Sequence, residues 1–372
     1  MGKVNFYCGK VNSQGGSKIS LLNLIFLFNK ENKNFEVFVS KRGWFTEKLE
    51  SKNINYTIIN EPSIIGKINK NTNFLFKIIF LIVGLPKMFL NWIKINKKIS
   101  NGDKVILNES RDLILFLPFL FRRDIEVIQW IRSEYVGKVT KLIMKKADKI
   151  IAVSDVVKEN IIGETNKPVY RIHNFMFDKP VKINKKSIDS NVINIAVVGS
   201  IQKIKGQLDA VKVLNHLKND KKIDKIIKLH IIGREFDKTY TKRVKDYVKQ
   251  NGLENDVKFL GHIDNVTDYL NNYIHLTLIP SQTESFCRVA MESISVGIPV
   301  IAYKVGGLKE VIIDDVTGML VEKNDIKSMS ASVKEILLNQ ELYKTMSYNA
   351  IKDWELRFYS ESIKKQIFDV LV

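Results

Sequence analysis

Short apolar, β-rich runs alternate with segments of helical length along this 372-residue chain, and that alternation restricts the fold to α/β. The strand candidates of a first series are Val4–Cys8, Glu36–Ser40, Val105–Asn108, Glu126–Trp130 and Lys149–Val153. Ser17–Asn29 and Gly137–Lys146 are helical segments between them. A second series starts at Ile193–Gly199 and continues through Lys228–Ile232, Val257–Leu260, Leu276–Ile279, Val300–Ala302 and Met319–Val321. The stretch Met176–Asn191, with Pro180 and the basic Lys182, Lys185 and Lys186, reads as the linker between the two series. The pattern predicts two doubly wound domains with parallel sheets, a class that binds ligands beyond the carboxyl ends of its strands. The length suits two domains, each able to bury a core without disulfide staples.

Cys8 and Cys287 are the only cysteines, which excludes a disulfide framework and points to a reducing compartment. The five histidines all lie at or beyond His173, and no His/Cys cluster has metal-ligand spacing. The net charge is +19. Residues 1–180 hold 30 Lys/Arg against 16 Asp/Glu, so most of the surplus belongs to the first half. Such an excess suits an anionic partner, whether nucleic acid, membrane or acidic substrate; a genomic bias towards Lys, Ile and Asn accounts for it equally well. The apolar runs Ile78–Pro86 and Leu113–Phe121 are each too short to span a bilayer, which takes about 20 residues. The wider stretch Phe74–Ile93, edged by Lys77 and Lys87, reads as a helix pair that is buried or lies on a membrane surface. The N-terminus reads as a short strand and not as a signal peptide.

The densest chemical signal runs from Leu278 to Gly318. An apolar strand ends at Pro280-Ser281, and a loop carries Glu284. Ser285-Phe286-Cys287-Arg288-Val289 open a helix, and Glu292 lies on it, expected two turns along. A helix N-terminus after a strand offers free N–H groups and a positive dipole end, which suit a diphosphate. The two carboxylates could accept hydrogen bonds from sugar or ribose hydroxyls, and Gly306-Gly307 would let backbone approach a ligand. A second signal, Gly199-Ser200-Ile201-Gln202-Lys203-Ile204-Lys205-Gly206-Gln207, is a glycine turn with lysines ahead of a helix. It lacks the GKS/T ending of a Walker loop and the Rossmann glycine triplet. Gly15-Gly16-Ser17 forms a similar turn after the first strand, and each of these turns also fits an ordinary βα loop.

Together these residues resemble glycosyltransferase family four, the retaining sugar transferases with the GT-B fold. The Glu284–Glu292 pair carries the resemblance, with Phe286, Gly297-Ile298-Pro299-Val300, Gly306-Gly307, Glu310, Thr317-Gly318, Lys205-Gly206, Ile231-Ile232-Gly233 and Phe259-Leu260-Gly261-His262. The match covers most of residues 147–325 and is loose before them. It implies an acceptor-side domain over 1–177, a linker over 178–190 and a nucleotide-sugar domain over 191–357. A last helix within 358–372 would pack back on the first domain. Glu284 would bind donor-sugar hydroxyls and Glu292 the ribose. Backbone of Ser285, Phe286, Cys287, Arg288 and Val289 would hold sugar and diphosphate. Gly199, Ser200 and Lys205 would face the leaving diphosphate, with Gly15 and Gly16 near it from the first domain. Gly233, Arg234, His262 and Ile263 would lie near the base.

Three departures stand out. Ser200 replaces the usual arginine, so either Lys203 or Arg288 substitutes for it or diphosphate binding is weaker. Cys287 replaces a usual glycine, and the first domain has no histidine. In place of that histidine, Arg132 and Glu134 are candidates for acceptor or phosphate contacts, with a surface ion pair as the alternative. The resemblance implies a metal-independent glycosyltransferase without cofactor. It would move sugar from a UDP- or GDP-sugar to a glycan or lipid-linked acceptor in surface polysaccharide or lipopolysaccharide synthesis. The basic surplus of the first half, with Phe74–Ile93 and its Lys77, Lys87, Lys94, Lys97 and Lys98, suggests peripheral attachment of a cytoplasmic protein to the anionic inner face of the plasma membrane. A sugar-nucleotide epimerase, a nucleic-acid binder and an inactive scaffold are the competing readings. The nucleic-acid binder lacks the basic helix or aromatic platform it would need.

Overall fold

A computed structural model describes every residue except Met1, Lys10, Ser13, 60–84, 110–120, Arg123, Val181 and 185–186. Most of Phe74–Ile93 and of Leu113–Phe121 therefore lies outside the described residues, as do Lys185 and Lys186 of the linker. The chain divides into two compact units, Met1–Phe177 with Ile363–Val372, and Asp178–Ser362.

The first unit contains β1 (Val4–Cys8), β2 (Phe35–Val39), β3 (Thr57–Ile58), β4 (Lys104–Leu107), β5 (Glu126–Ile131), β6 (Lys149–Ala152) and β7 (Val169–Arg171). They form one sheet in the order β3-β2-β1-β4-β5-β6-β7, and every pairing is parallel. The apolar runs of the sequence supply the five inner strands. The edge strands β3 and β7 are not predicted by the pattern. They are two and three residues long and only half-buried or exposed, so they carry no apolar run to read. The helix Gly16–Lys30 buries Leu21, Leu22, Leu24, Ile25, Leu27 and Phe28, more of its circumference than a one-sided surface helix would. Phe28 explains this: it packs edge-on against Phe6 of β1 at 5.2 Å and against Phe368 of the helix Ser360–Leu371 at 5.3 Å. The helix thus lies between sheet and C-terminal helix. Each such side chain contributes about 1.5–3 kcal/mol on burial.

The second unit contains β8 (Val192–Val198), β9 (Ile226–Ile232), β10 (Val257–Gly261), β11 (Leu276–Ile279), β12 (Val300–Tyr303) and β13 (Gly318–Val321). The sheet order is β10-β9-β8-β11-β12-β13, again all parallel. Both sheets reverse direction of winding once, between β1 and β4 and between β8 and β11. At such a switch point the flanking loops part to opposite faces and leave a crevice at the strand carboxyl ends. No helix among the described residues is long and apolar enough to cross a membrane.

Candidate active site

The crevice of the second unit is built by the loops leaving β8 and β11. From β8 the chain passes Gly199, makes a short 3-10 turn at Lys203–Lys205, and enters the helix Gln207–Lys218 through Gly206. Gly206 has φ +69, and a Cβ there would lie 2.0 Å from the Pro280 carbonyl oxygen. The Gln282 amide donates to the Ile204 carbonyl at 2.8 Å. The two loops therefore touch main chain to main chain. Only glycine permits that approach.

This contact sets Lys205 beside Glu284. The Lys205 Nζ lies 2.6 Å from Glu284 Oε1, and the Ser281 hydroxyl donates to the same oxygen at 2.9 Å. Burial pulls the Lys205 ammonium pKa down, but the Glu284 carboxylate outweighs it and holds the pKa above the ordinary lysine value. The lysine is charged at any physiological pH.

Glu284 is itself held from behind. Gly307 donates to its carbonyl at 2.7 Å, and a Cβ on Gly307 would lie 2.4 Å from the Ser285 carbonyl oxygen. The close approach that Gly306-Gly307 was expected to give a ligand is thus made, at Gly307, to the Ser285–Phe286 backbone. Cys287 then takes the left-handed conformation, φ +72, as the residue before the helix Arg288–Ser295. That is uncommon for a residue with a side chain and costs about 1–2 kcal/mol. Burial, with Glu284 adding to it, pushes the Cys287 thiol far above its ordinary pKa. The buried thiol is thereby kept neutral and is a poor nucleophile.

Glu292 is one turn into that helix and not the expected two, since the helix begins only at Arg288. Its Oε1 lies 2.7 Å from an Arg288 Nη, and both side chains are largely buried.

The loops after β9 and β10 join the same edge. A Cβ on Gly233 would lie 1.9 Å from the Gly199 carbonyl oxygen. The Gly233 amide donates to Gly261 at 2.7 Å, and the Ile201 amide to Arg234 at 2.8 Å. Arg234 and His262 are exposed beyond them and Ile263 is half-buried; His262 Nε2 is 3.3 Å from Asp264. Gly199, Ser200, Lys205, Gly233 and the 284–292 segment thus share the carboxyl edge of one sheet.

Gly15, Gly16, Arg132 and Glu134 belong to the other unit. Gly15 precedes the helix Gly16–Lys30. Arg132 follows β5, where its guanidinium donates to Asn108 Oδ1 at 2.8 Å and Asn174 Oδ1 at 2.6 Å. It also lies 4.4 Å from the Trp130 ring centre. Half-buried Glu134 follows it.

Sequence reasoning quotes Ser281 and Gln207 within their motifs but gives neither a role. Ser281 holds Glu284, and the buried Gln207 amide donates to the carbonyls of Gly199 and Ser200 at 3.4 and 3.1 Å. A glutamine at the first position of a buried helix start is the signal that could have given it one.

Residues 178–353 match the family described as Glycosyl transferases group 1. A group 1 glycosyltransferase domain is therefore present in the second unit. The chain is 30% identical over 217 residues to an uncharacterized glycosyltransferase of Methanocaldococcus jannaschii, covering 57% of this chain and 56% of that protein. It is 24% identical over 244 residues to the capsular polysaccharide biosynthesis glycosyltransferase CapM of Staphylococcus aureus, covering 61% and 62%. The matches thus span less than two thirds of these relatives. The crystal structure of Anabaena HepE in complex with UDP and glucose superposes with a TM-score of 0.78 at 18% identity, covering 100% of this chain and 99% of that one. The whole chain accordingly has the two-domain GT-B fold.

Proposed function

We propose that the protein is a glycosyltransferase that takes sugar from a nucleoside-diphosphate sugar, UDP- or GDP-linked, and retains its anomeric configuration. The observation that carries this reading is the Ser281–Glu284–Lys205 cluster at the β8/β11 switch point. It offers a fixed cation to a leaving diphosphate and a carboxylate to sugar hydroxyls.

In the proposed reaction the bond from the anomeric carbon to the phosphate oxygen breaks, and its electron pair leaves with the nucleoside diphosphate. The acceptor hydroxyl attacks from the same face and passes its proton to the departing phosphate. Lys205 and the first amides of the helix Arg288–Ser295 stabilise the charge that develops on the phosphate. Preorganised electrostatics of this kind often contributes more to catalysis than any other single effect. Lys205 would exchange its Glu284 contact for phosphate, which frees Glu284 for sugar hydroxyls. Glu292, held by Arg288, would accept from the ribose. Arg132 and Glu134 would serve the acceptor or a phosphate from the first unit. No metal or cofactor is required by this scheme.

The acceptor would be a growing surface glycan or its lipid-linked form, a reading supported by the capsular relative. The helix Leu85–Asn96 supports work at an anionic membrane surface, since it exposes Phe89, Leu90 and Ile93 alongside Lys87. Part of the basic edge is engaged elsewhere: Lys94 of the helix donates to the Ile58 carbonyl, and Lys98, just past its end, pairs with Glu36. The deciding experiment is a thermal-shift series with UDP, GDP and ADP, followed by their sugar conjugates. One nucleotide and its conjugate should raise the melting temperature. No shift with any of them would refute the donor assignment.

A further inference from the structure

The Glu284–Val289 segment is braced by a piece of chain that needs bracing itself. Gly307 donates to the Glu284 carbonyl at 2.7 Å and opens the helix Leu308–Val311, a single turn of four residues. One isolated turn makes too few hydrogen bonds to hold its own shape in water. Its last carbonyls, moreover, find no partner within the helix.

Arg357 supplies those partners. It closes the helix Gln340–Arg357, and its guanidinium donates to the carbonyls of Glu310 at 2.5 Å and Val311 at 2.9 Å. The same guanidinium donates to both carboxylate oxygens of Asp353, one turn back along its own helix. Four acceptors around one planar group call for the fixed fork of donors that arginine has and lysine lacks. Asp353 occupies one side of the fork and so aims the other side at the Leu308–Val311 turn. All of these residues belong to the second unit.

The next residue reaches the segment directly. Phe358 is fully buried and meets the Phe286 ring edge-on at 5.6 Å, while the Arg357 guanidinium lies 4.5 Å from the Phe358 ring centre. The helix Gln340–Arg357 also backs the end of the helix Arg288–Ser295: a Cβ on Gly297 would lie 2.8 Å from Ser347 Oγ and 2.9 Å from Ile351 Cδ1. One helix and its cap therefore hold the candidate donor segment through Gly307, at Phe286 and behind Gly297.

We infer that Arg357 is a positioning residue of the donor site. It acts through others: it holds the Gly307–Val311 turn against the Glu284–Phe286 backbone, and so fixes where the first amides of the helix Arg288–Ser295 point. The inference rests on the donor reading for what those amides bind, but the bracing can be measured without a ligand.

Two measurements on the full chain separate the outcomes. Amide hydrogen exchange, read by mass spectrometry, reports on residues 284–292 and 307–312 in the free protein. Calorimetry with UDP against UMP, and GDP against GMP, compares ligands that differ by one phosphate. Arg357→Met should speed exchange in both segments and leave that of β9 unchanged. It should weaken the diphosphate about three- to tenfold, roughly one hydrogen bond's worth, and leave the monophosphate unaltered. Arg357→Lys keeps a cation beside Asp353 and should fall between wild type and Arg357→Met in both readouts; it decides alone if Arg357→Met does not fold. A merely structural arginine would lower the melting temperature and treat diphosphate and monophosphate alike. Unchanged exchange at 284–292, or equal effects on the two ligands, would overturn the inference. Faster exchange in the variants of a protein that binds none of these nucleotides would instead refute the donor reading and leave the bracing in place.

Discussion

Gly206 tests whether the contact between the β8 and β11 loops governs the second unit. Gly206 and Gly252 have nearly the same left-handed backbone, φ +69 and φ +62. They differ in what a Cβ would meet: the Pro280 carbonyl oxygen at 2.0 Å for Gly206, and nothing within 4 Å for Gly252. Alanine at either position incurs the left-handed penalty of about 1–2 kcal/mol, partly offset by the lower entropy of the unfolded chain. Gly252→Ala should therefore cost about 1 kcal/mol and nothing more. Gly206→Ala must in addition push apart two backbone segments that cannot rotate away, and overpacking of that kind costs about 1–3 kcal/mol. Urea unfolding of both variants beside wild type gives the difference directly. Gly206→Ala should be the less stable by at least about 1 kcal/mol. Calorimetry should show it alone losing UDP affinity, because the displaced loop carries Lys205. Equal stabilities for the two variants, with equal UDP binding, would refute the argument that this contact positions the site.

Glu284→Ala should abolish transfer to acceptor while UDP binding largely survives; unchanged turnover would remove Glu284 from the site. Lys205→Ala should weaken UDP by about 10- to 100-fold, the worth of a charged hydrogen bond, and an unaltered dissociation constant would count against its role. Phe89→Ser with Leu90→Ser, at positions 58% and 65% exposed, should reduce flotation with anionic liposomes without changing the melting temperature; equal recovery of wild type on anionic and neutral vesicles would return the basic surplus to composition. His230 carries a pH prediction. Burial, helped by Lys258 and His275, lowers its pKa from 6.5 to about 4. As pH falls the unfolded chain takes the proton first, so stability is full above pH 6.5 and declines from there towards pH 4. The loss is at most about 3 kcal/mol. Unfolding at pH 7 and pH 4.5 should show a smaller drop in His230→Leu than in wild type, and identical drops would reject the assignment.

Much of this protein can be read from its residues one by one. Apolar runs of strand length recurring between helical segments dictate parallel α/β layering, because buried parallel strands must be apolar on both faces. That signal locates eleven of the strands to within two residues; it fails at Thr57–Ile58 and Val169–Arg171, edge strands whose short, half-exposed residues need no such pattern. The Glu284–Glu292 spacing and the glycines around it mark the candidate site because few residue types tolerate those turns. Spacing says nothing about partners across the chain, however. Only the folded β8/β11 crevice brings Lys205 onto Glu284 from 79 residues away and shows that Gly307 braces the Ser285–Phe286 backbone. Likewise the sequence offers Gln129 as one more residue in an apolar strand, and only the fold shows that it is buried with its side-chain carbonyl unanswered among the described residues. Local propensity is written in neighbours along the chain. Charge pairing and unpaired polarity depend on neighbours in space, which packing alone decides.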